Sequence, residues 1–239
     1  MHKLYIKREV FTVKYFGETD RIYYTLNEIT SKFEFVKYTV DVKNKDALIK
    51  LIFDGSIAKR DYDDVVRLFV SRLQDGIYAE FDTNLSSRLF DLLKLRSVKI
   101  STAESFTSGR IVSSIVQNVG ASNFVNEGIV CYSNKSKIKR VSVNPQDLEK
   151  LSAVSSKVAY EMAVGLIKDG DCDIAISTTG YAGPDTDEFG NQLGLYFIGI
   201  GMKNGVDVYK YHVNGSREEI TETAKNTALF LAIKKLKNF

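Results

Sequence analysis

At 239 residues the chain exceeds the ~100–200 of a typical domain, and 44% hydrophobic with 26% charged residues is the balance of a folded globular protein. Its net charge of +3 is evenly spread, with 17 basic and 15 acidic residues over positions 1–96 and 16 and 15 over the rest, so no broad field for nucleic acid arises. Two cysteines, Cys131 and Cys172, argue against a disulfide framework and exclude a four-cysteine zinc site, while the two histidines exclude a His-rich metal site.

No run reaches the ~18 apolar residues of a membrane helix, and Met1–Val10 is charged throughout. The expectation is a cytoplasmic chain with no signal peptide and no membrane contact. His2 stands at a terminus, and His212 lies in the alternating run Val206–Val213, where it reads as a structural strand residue. A hydrolase built on this chain needs a base other than histidine.

In chain order, Val10–Phe16 reads as a strand, and a helix follows from about Asp20 with Ile22, Leu26, Ile29 and Phe33 on one face. Val36–Val42 alternates as a half-buried strand, and Lys43-Asn-Lys45 turns it into a second strand, Ala47–Phe53. Asp61–Leu73 is a helix with acids in its first turn and Val66, Phe69, Val70 and Leu73 on its apolar face. Ile77–Phe81 is a short strand, and Asn84 caps a helix through Leu89, Leu92 and Leu93. This first stretch is α+β.

From about Ser97 strands and helices alternate. Val98–Ala103, Gly128–Tyr132 and Ile174–Thr178 read as strands, and Gly109–Val119, Asn134–Val141 and Ser155–Lys168 as helices. Leu195–Gly201 and Val206–Val213 form a hairpin through Asn204-Gly205. Ser216-Arg-Glu-Glu219 is a capping box opening the last helix. The predicted fold is a mixed-sheet α/β sandwich over 85–239, preceded by a small α+β domain over 1–84.

Three segments carry candidate chemistry. Ile100-Ser-Thr-Ala-Glu-Ser105-Phe-Thr-Ser-Gly109 links a strand to a helix, where free N–H groups can hold a phosphate or an oxyanion beside a nucleophilic hydroxyl. The same residues have a plainer use, with Thr107 or Ser108 capping the helix. Next, Cys131-Tyr-Ser-Asn-Lys-Ser-Lys-Ile-Lys-Arg140 places four basic residues within six positions. With Asn134 as N-cap, Lys137 is the third helical residue, and Lys135, Lys139, Arg140 and the helix end disfavour its protonated form. Bringing a lysine from ~10.4 to ~7–8 takes roughly 4 kcal/mol, within reach of like charges and partial burial, and would make Lys137 a general base. A solvated basic face is the bland alternative. Third, Ser177-Thr-Thr-Gly-Tyr-Ala-Gly-Pro184 runs into the polar loop Asp185–Gln192, and its glycines let backbone approach a ligand. Arg217, just inside the last helix, is an anion clamp or an ordinary surface arginine.

Taken together, Thr-Ala-Glu-Ser-Phe-Thr-Ser-Gly, Tyr-Ser-Asn-Lys-Ser-Lys, Ser-Ala-Val-Ser and Thr-Gly-Tyr-Ala-Gly-Pro, in that order, resemble the C-terminal domain of the CinA (competence/damage-inducible) family. The resemblance spans about residues 85–239. It implies an amidohydrolase that converts nicotinamide mononucleotide to nicotinate mononucleotide and ammonia, with no metal or organic cofactor. It implies Ser105 as nucleophile and Lys137 as base, with Tyr132 relaying a proton or orienting Lys137 and Thr179 bonding substrate or base. Thr107, Ser108, Gly109 and Gly180 would line the substrate, the amides near Thr107–Gly109 holding the oxyanion, and Arg217 with the basic cluster would bind phosphate.

Residues 1–84 resemble the KH-like domain that precedes this one in full-length CinA. No molybdopterin-binding-like segment is present, so its pyrophosphatase chemistry is not expected. KH domains clamp nucleic acid with a Gly-x-x-Gly loop, which the isolated Gly17, Gly55 and Gly76 do not form, so no nucleic-acid partner is expected. The expected partner is a small pyridine mononucleotide, and a homo-oligomer is left open. The chain departs from the family at Phe106 and Ser108, where Cys and Gly are usual, at Lys135, where an acid is common, and at Asn191-Gln192, where a Lys-Pro pair is usual. The rival reading is a nucleotide- or phosphate-binding module without turnover.

Overall fold

A computed structural model describes the backbone of residues 5–6 and all of residues 9–53, 55, 57–168, 170–183 and 192–238. His2, Pro184 and most of the loop Asp185–Gln192 therefore lie outside the described residues, as does Asn191. The chain divides into two compact units, Met1–Asn84 and Leu85–Phe239.

The first unit is an antiparallel sheet backed by two helices. Strands β2 (Glu9–Phe16), β3 (Val36–Lys43), β4 (Asp46–Phe53) and β6 (Ile77–Ala79) lie in the order β3-β4-β2-β6. A small ribbon pairs β1 (Tyr5–Ile6) with β5 (Ile57–Ala58). The β3–β4 hairpin closes through Asn44 and Lys45, both left-handed at φ 49° and 65°, the twist a two-residue hairpin turn demands. Helices α1 (Thr19–Lys32) and α2 (Lys59–Leu73) bury Ile22, Leu26, Ile29, Phe69 and Leu73 with Ala47, Ile49, Leu51 and Phe53 of β4.

The second unit holds a five-stranded mixed sheet. Its strands are β7 (Ile100–Glu104), β8 (Val125–Val130), β9 (Ile174–Gly180), β10 (Leu195–Met202) and β11 (Gly205–His212), in the order β11-β10-β9-β7-β8. β7 runs parallel to β8 and β9, whereas β10 is antiparallel to β9 and β11. Met202 pairs with Gly205, so the hairpin turn is Lys203-Asn204 rather than Asn204-Gly205, and Gly205 opens the strand.

Helices cover both faces, which is why β7, β9 and β10 are buried along almost their whole length. On one face lie α5 (Asn134–Val141), α6 (Pro145–Leu151) and α7 (Ser156–Ile167). Val158, Met162 and Ala163 of α7 pack on Ala103 and Ala175. α7 presses close because Gly199 has no side chain: a Cβ there would stand 2.8 Å from the Ala159 carbonyl. On the other face lie α3 (Leu85–Arg96), α4 (Arg110–Val116) and α8 (Arg217–Lys237), with α3 and α4 packed on α8. The Ser216 capping box opens α8 as the pattern predicts. Sequence reading passed over α6, although Asn144 caps it and Pro145 occupies its first position. Among the described residues no helix is long and apolar enough to cross a membrane.

Candidate active site

Ser105 is the first residue beyond β7, and its N–H continues the ladder onto the Thr178 carbonyl at 3.0 Å. One step past the pair Glu104↔Thr178, it falls on the sheet face that α5 and α7 cover. β8 ends alongside, the Cys131 N–H donating to the Glu104 carbonyl at 2.9 Å. The chain then turns into α5, whose N-cap is Ser133, not Asn134; its side chain accepts from the Ser136 N–H, so Lys137 is the fourth helical residue.

From there Lys137 reaches back under the turn. Its Nζ lies 2.9 Å from Ser105 Oγ and 3.0 Å from the carbonyls of both Cys131 and Tyr132. The side chain is only 1% exposed. Burial pushes the Lys137 amine below its ordinary value, with a smaller opposing effect from Cys131. Of the two causes the sequence offered, like charges and partial burial, burial is the one that lowers it. Carbonyl oxygens only accept, so in a neutral amine both N–H bonds go to Cys131 and Tyr132. The nitrogen lone pair is then left for the Ser105 hydroxyl proton. The same burial raises the Cys131 thiol, against the influence of Lys137.

The turn after Ser105 is organised by a residue that pattern reading did not single out. Glu104 is fully buried, and its carboxylate accepts from Thr107 Oγ1 at 2.8 Å and from the amides of Gly109, Ile111 and Val112 at 3.0, 3.1 and 2.9 Å. Thr102 Oγ1 donates more weakly at 3.3 Å. Glu104, not Thr107 or Ser108, therefore satisfies the start of α4. The Gly109 amide, expected among the oxyanion donors, is bound to Glu104, and the Ser108 amide donates to Ser105 O at 3.1 Å. Among the described residues the amides of Phe106 and Thr107 have no protein acceptor. The sequence signal for Glu104 was an acid at a strand end just ahead of a helix, hidden because it precedes the usual cap position by several residues.

The remaining candidates are placed as follows. The Tyr132 phenol is exposed, 3.4 Å from Arg217 Nη2, while its carbonyl holds Lys137. Arg217 Nη1 donates to the Gly183 carbonyl at 2.6 Å, tying α8 to the segment after β9. Thr179 is buried beside Ser105 on the same sheet face, but its hydroxyl donates to Ala153 O at 2.7 Å, within the Ser-Ala-Val-Ser stretch. Gly180 is a packing requirement: a Cβ there would stand 2.5 Å from Tyr196 Cβ and 3.0 Å from Phe106 Cε1. Phe106 itself is 4% exposed, its ring centroid 5.7 Å from that of Tyr196. Tyr196 reaches Thr227 of α8, so the Phe106 ring occupies the sheet face opposite Lys137. Ser108 is exposed and left-handed at φ 55°, next to Gly109 at φ 88°.

Fold and site together define an α/β sandwich with a buried serine–lysine pair at a strand–helix turn. A family model for the CinA C-terminal domain matches residues 82–236. The chain belongs to the CinA family through this domain. A CinA-like protein of Fusobacterium nucleatum is 39% identical over 178 residues, covering 74% of this chain and 43% of the relative. A solved CinA superfamily protein from Escherichia coli is 33% identical with TM-score 0.58, covering 64% of this chain and 87% of that one. One from Klebsiella pneumoniae is 27% identical with TM-score 0.63, covering 65% and 97%. The chain spans less than half the length of the curated relatives it matches.

Proposed function

We propose that the second unit is a serine–lysine amidohydrolase that converts nicotinamide mononucleotide to nicotinate mononucleotide and ammonia. The observation that carries the reading is the buried amine of Lys137, at 2.9 Å from Ser105 Oγ and with no acidic partner among the described residues. The substrate follows from the family resemblance of the four motifs.

Neutral Lys137 accepts the Ser105 hydroxyl proton as Oγ attacks the carboxamide carbon. A C–O bond forms, and the carbonyl oxygen becomes an oxyanion held by the amides of Phe106 and Thr107, the two that the turn leaves unclaimed. Collapse breaks the C–N bond, and the Lys137 proton passes to the leaving nitrogen, releasing ammonia. Water then adds to the acyl-Ser105 ester, Lys137 taking its proton and returning one to Ser105 Oγ. Tyr132 orients Lys137 through its carbonyl. Arg217 and the exposed Lys135, Lys139 and Arg140 are the cations for the nucleotide phosphate. Thr179, with its hydroxyl spent on Ala153, acts by holding the Ser-Ala-Val-Ser stretch beside the nucleophile.

The rival is a binding module whose pocket Phe106, Ser108 and Lys135 have altered. Of these, the Phe106 ring packs on Tyr196 beneath Gly180, on the sheet face opposite Lys137, which supports turnover over binding alone. Ammonia release from nicotinamide mononucleotide by the purified chain tests the reading. Turnover that disappears in Ser105→Ala is expected, whereas mononucleotide binding without ammonia release would establish the binding module instead.

A further inference from the structure

We propose that Glu104 is a positioning residue of this site: its carboxylate shapes the turn that presents Ser105 and aims the Phe106 and Thr107 amides at the reacting carbonyl. The inference rests on the reading of Ser105 as nucleophile, but not on the identity of the substrate.

The network has a single sense. Among the described residues every group that meets the carboxylate is a donor, three amides and two hydroxyls. The Thr107 hydroxyl has one hydrogen and gives it to Glu104, so in the 2.7 Å contact between Thr107 Oγ1 and Thr178 Oγ1 the donor is Thr178. Thr178 O in turn accepts the Ser105 N–H. The carboxylate thus ties β9, the turn and the first turn of α4 to the residue immediately before Ser105. It also fills α4's free amides. Without it, Gly109, Ile111 and Val112 would compete with Phe106 and Thr107 for any anion in the turn. Among the described residues Glu104 has no basic ion-pair partner, so its charge is balanced by hydrogen bonds alone, each directional.

This geometry makes glutamine a poor replacement. An amide NH2 would replace one carboxylate oxygen and set its hydrogens against at least one backbone N–H, that of Val112 on one side or those of Gly109 and Ile111 on the other, with only a threonine hydroxyl able to turn and accept. Aspartate keeps both oxygens but draws them back by one methylene.

The test is the rate at which an alkyl fluorophosphonate phosphonylates Ser105, read by mass spectrometry of the intact protein beside the near-ultraviolet circular dichroism of each variant. The Oγ–P bond forms, P–F breaks, fluoride leaves, and Lys137 takes the hydroxyl proton. Glu104→Gln, folded as judged by dichroism, is expected to label roughly 10²–10³-fold more slowly, the scale of losing a preorganised oxyanion donor, with Glu104→Asp partly restored. With nicotinamide mononucleotide the same loss is expected in kcat, with KM within about threefold. A folded Glu104→Gln that labels at the wild-type rate overturns the proposal. If Glu104→Gln does not fold, Thr107→Val decides it: about tenfold slower labelling is expected, since one donor of the turn network is lost, and an unchanged rate overturns it. Wild type that labels on Ser105 but releases no ammonia overturns the substrate reading and leaves Glu104 standing. Wild type that does not label at Ser105 overturns both.

Discussion

Lys137 Nζ and Ser105 Oγ lie 2.9 Å apart although 32 positions separate the two residues, and the other polar neighbours of that amine among the described residues are two backbone carbonyls. A buried ammonium is costly where, as among the described residues here, no carboxylate stands beside it, so these surroundings favour the neutral amine, the form a general base needs.

Arginine at position 137 keeps a positive charge that is not lost near neutrality, so Lys137→Arg should lower kcat for ammonia release by about 10³-fold or more, close to Ser105→Ala. In the proposed mechanism the two residues act as one unit, so the double variant should be no worse than the worse single. Full activity in Lys137→Arg would rule out a proton-accepting lysine.

In the proposed mechanism the rate requires neutral Lys137, so kcat/KM should rise with pH along a limb of unit slope. Burial lowers this amine, so the limb should level off below the ~10.4 of an ordinary lysine. A midpoint at or above that value, measured on nicotinamide mononucleotide, would contradict the assignment.

The same shift acts on stability, and its sign is fixed by proton counting. Between the lowered folded value and the ordinary unfolded one, the unfolded chain binds more protons, so this lysine's contribution to stability rises with pH in that window. Denaturant unfolding of Lys137→Met and wild type should show wild type gaining on the variant as pH increases toward ~10. A pH-independent difference would mean that the amine is not perturbed.

Ser108 holds a left-handed backbone at φ 55° that glycine adopts freely. Relief of about 1–2 kcal/mol of strain, offset by about 0.4–1 kcal/mol of added unfolded-chain entropy, predicts that Ser108→Gly stabilises by roughly 0.5–1 kcal/mol. Its hydroxyl contact with Phe106 O is 3.3 Å and at the surface, too weak to reverse that. Chemical denaturation measures it.

Gly165 of α7 faces the end of α5, where an added Cβ would collide with the Val141 carbonyl oxygen. Backbone cannot rotate aside as a side chain can. Gly165→Ala should therefore displace α5, cost about 1–3 kcal/mol, and slow Ser105 chemistry by carrying Lys137 away. A variant that melts like wild type and turns over normally would show that α5 tolerates the shift.

Much of this was legible in the residues alone, because element type follows from local periodicity. The alternation in Val36–Val42, the stripe Ile22, Leu26, Ile29 of α1 and the Ser216 capping box each name their element within a few residues. The small-residue turn at Ser105 and the lysine-rich start of α5 stood out for the same reason. α6 was missed because one or two turns carry too little periodicity to register, despite the Asn144-Pro145 opening.

What lay beyond the sequence was every relation set by packing between distant segments. Local charge pointed to like-charge repulsion and partial burial at Lys137 without ranking them; docking α5 on α7 buries the amine, and desolvation is what lowers it. Residue type suggested Thr107 or Ser108 as the cap; only the sheet, by placing Glu104 under α4, made a strand residue the acceptor for Ile111 and Val112. Alternation along a strand says that Phe106 and Ser105 point oppositely, but which of them meets Lys137 depends on which face α5 covers. Sequence by itself determined which residue types stand at the turn and which elements carry them. The tertiary structure alone decided their protonation, partners and direction, because those depend on distances between atoms far apart in the chain.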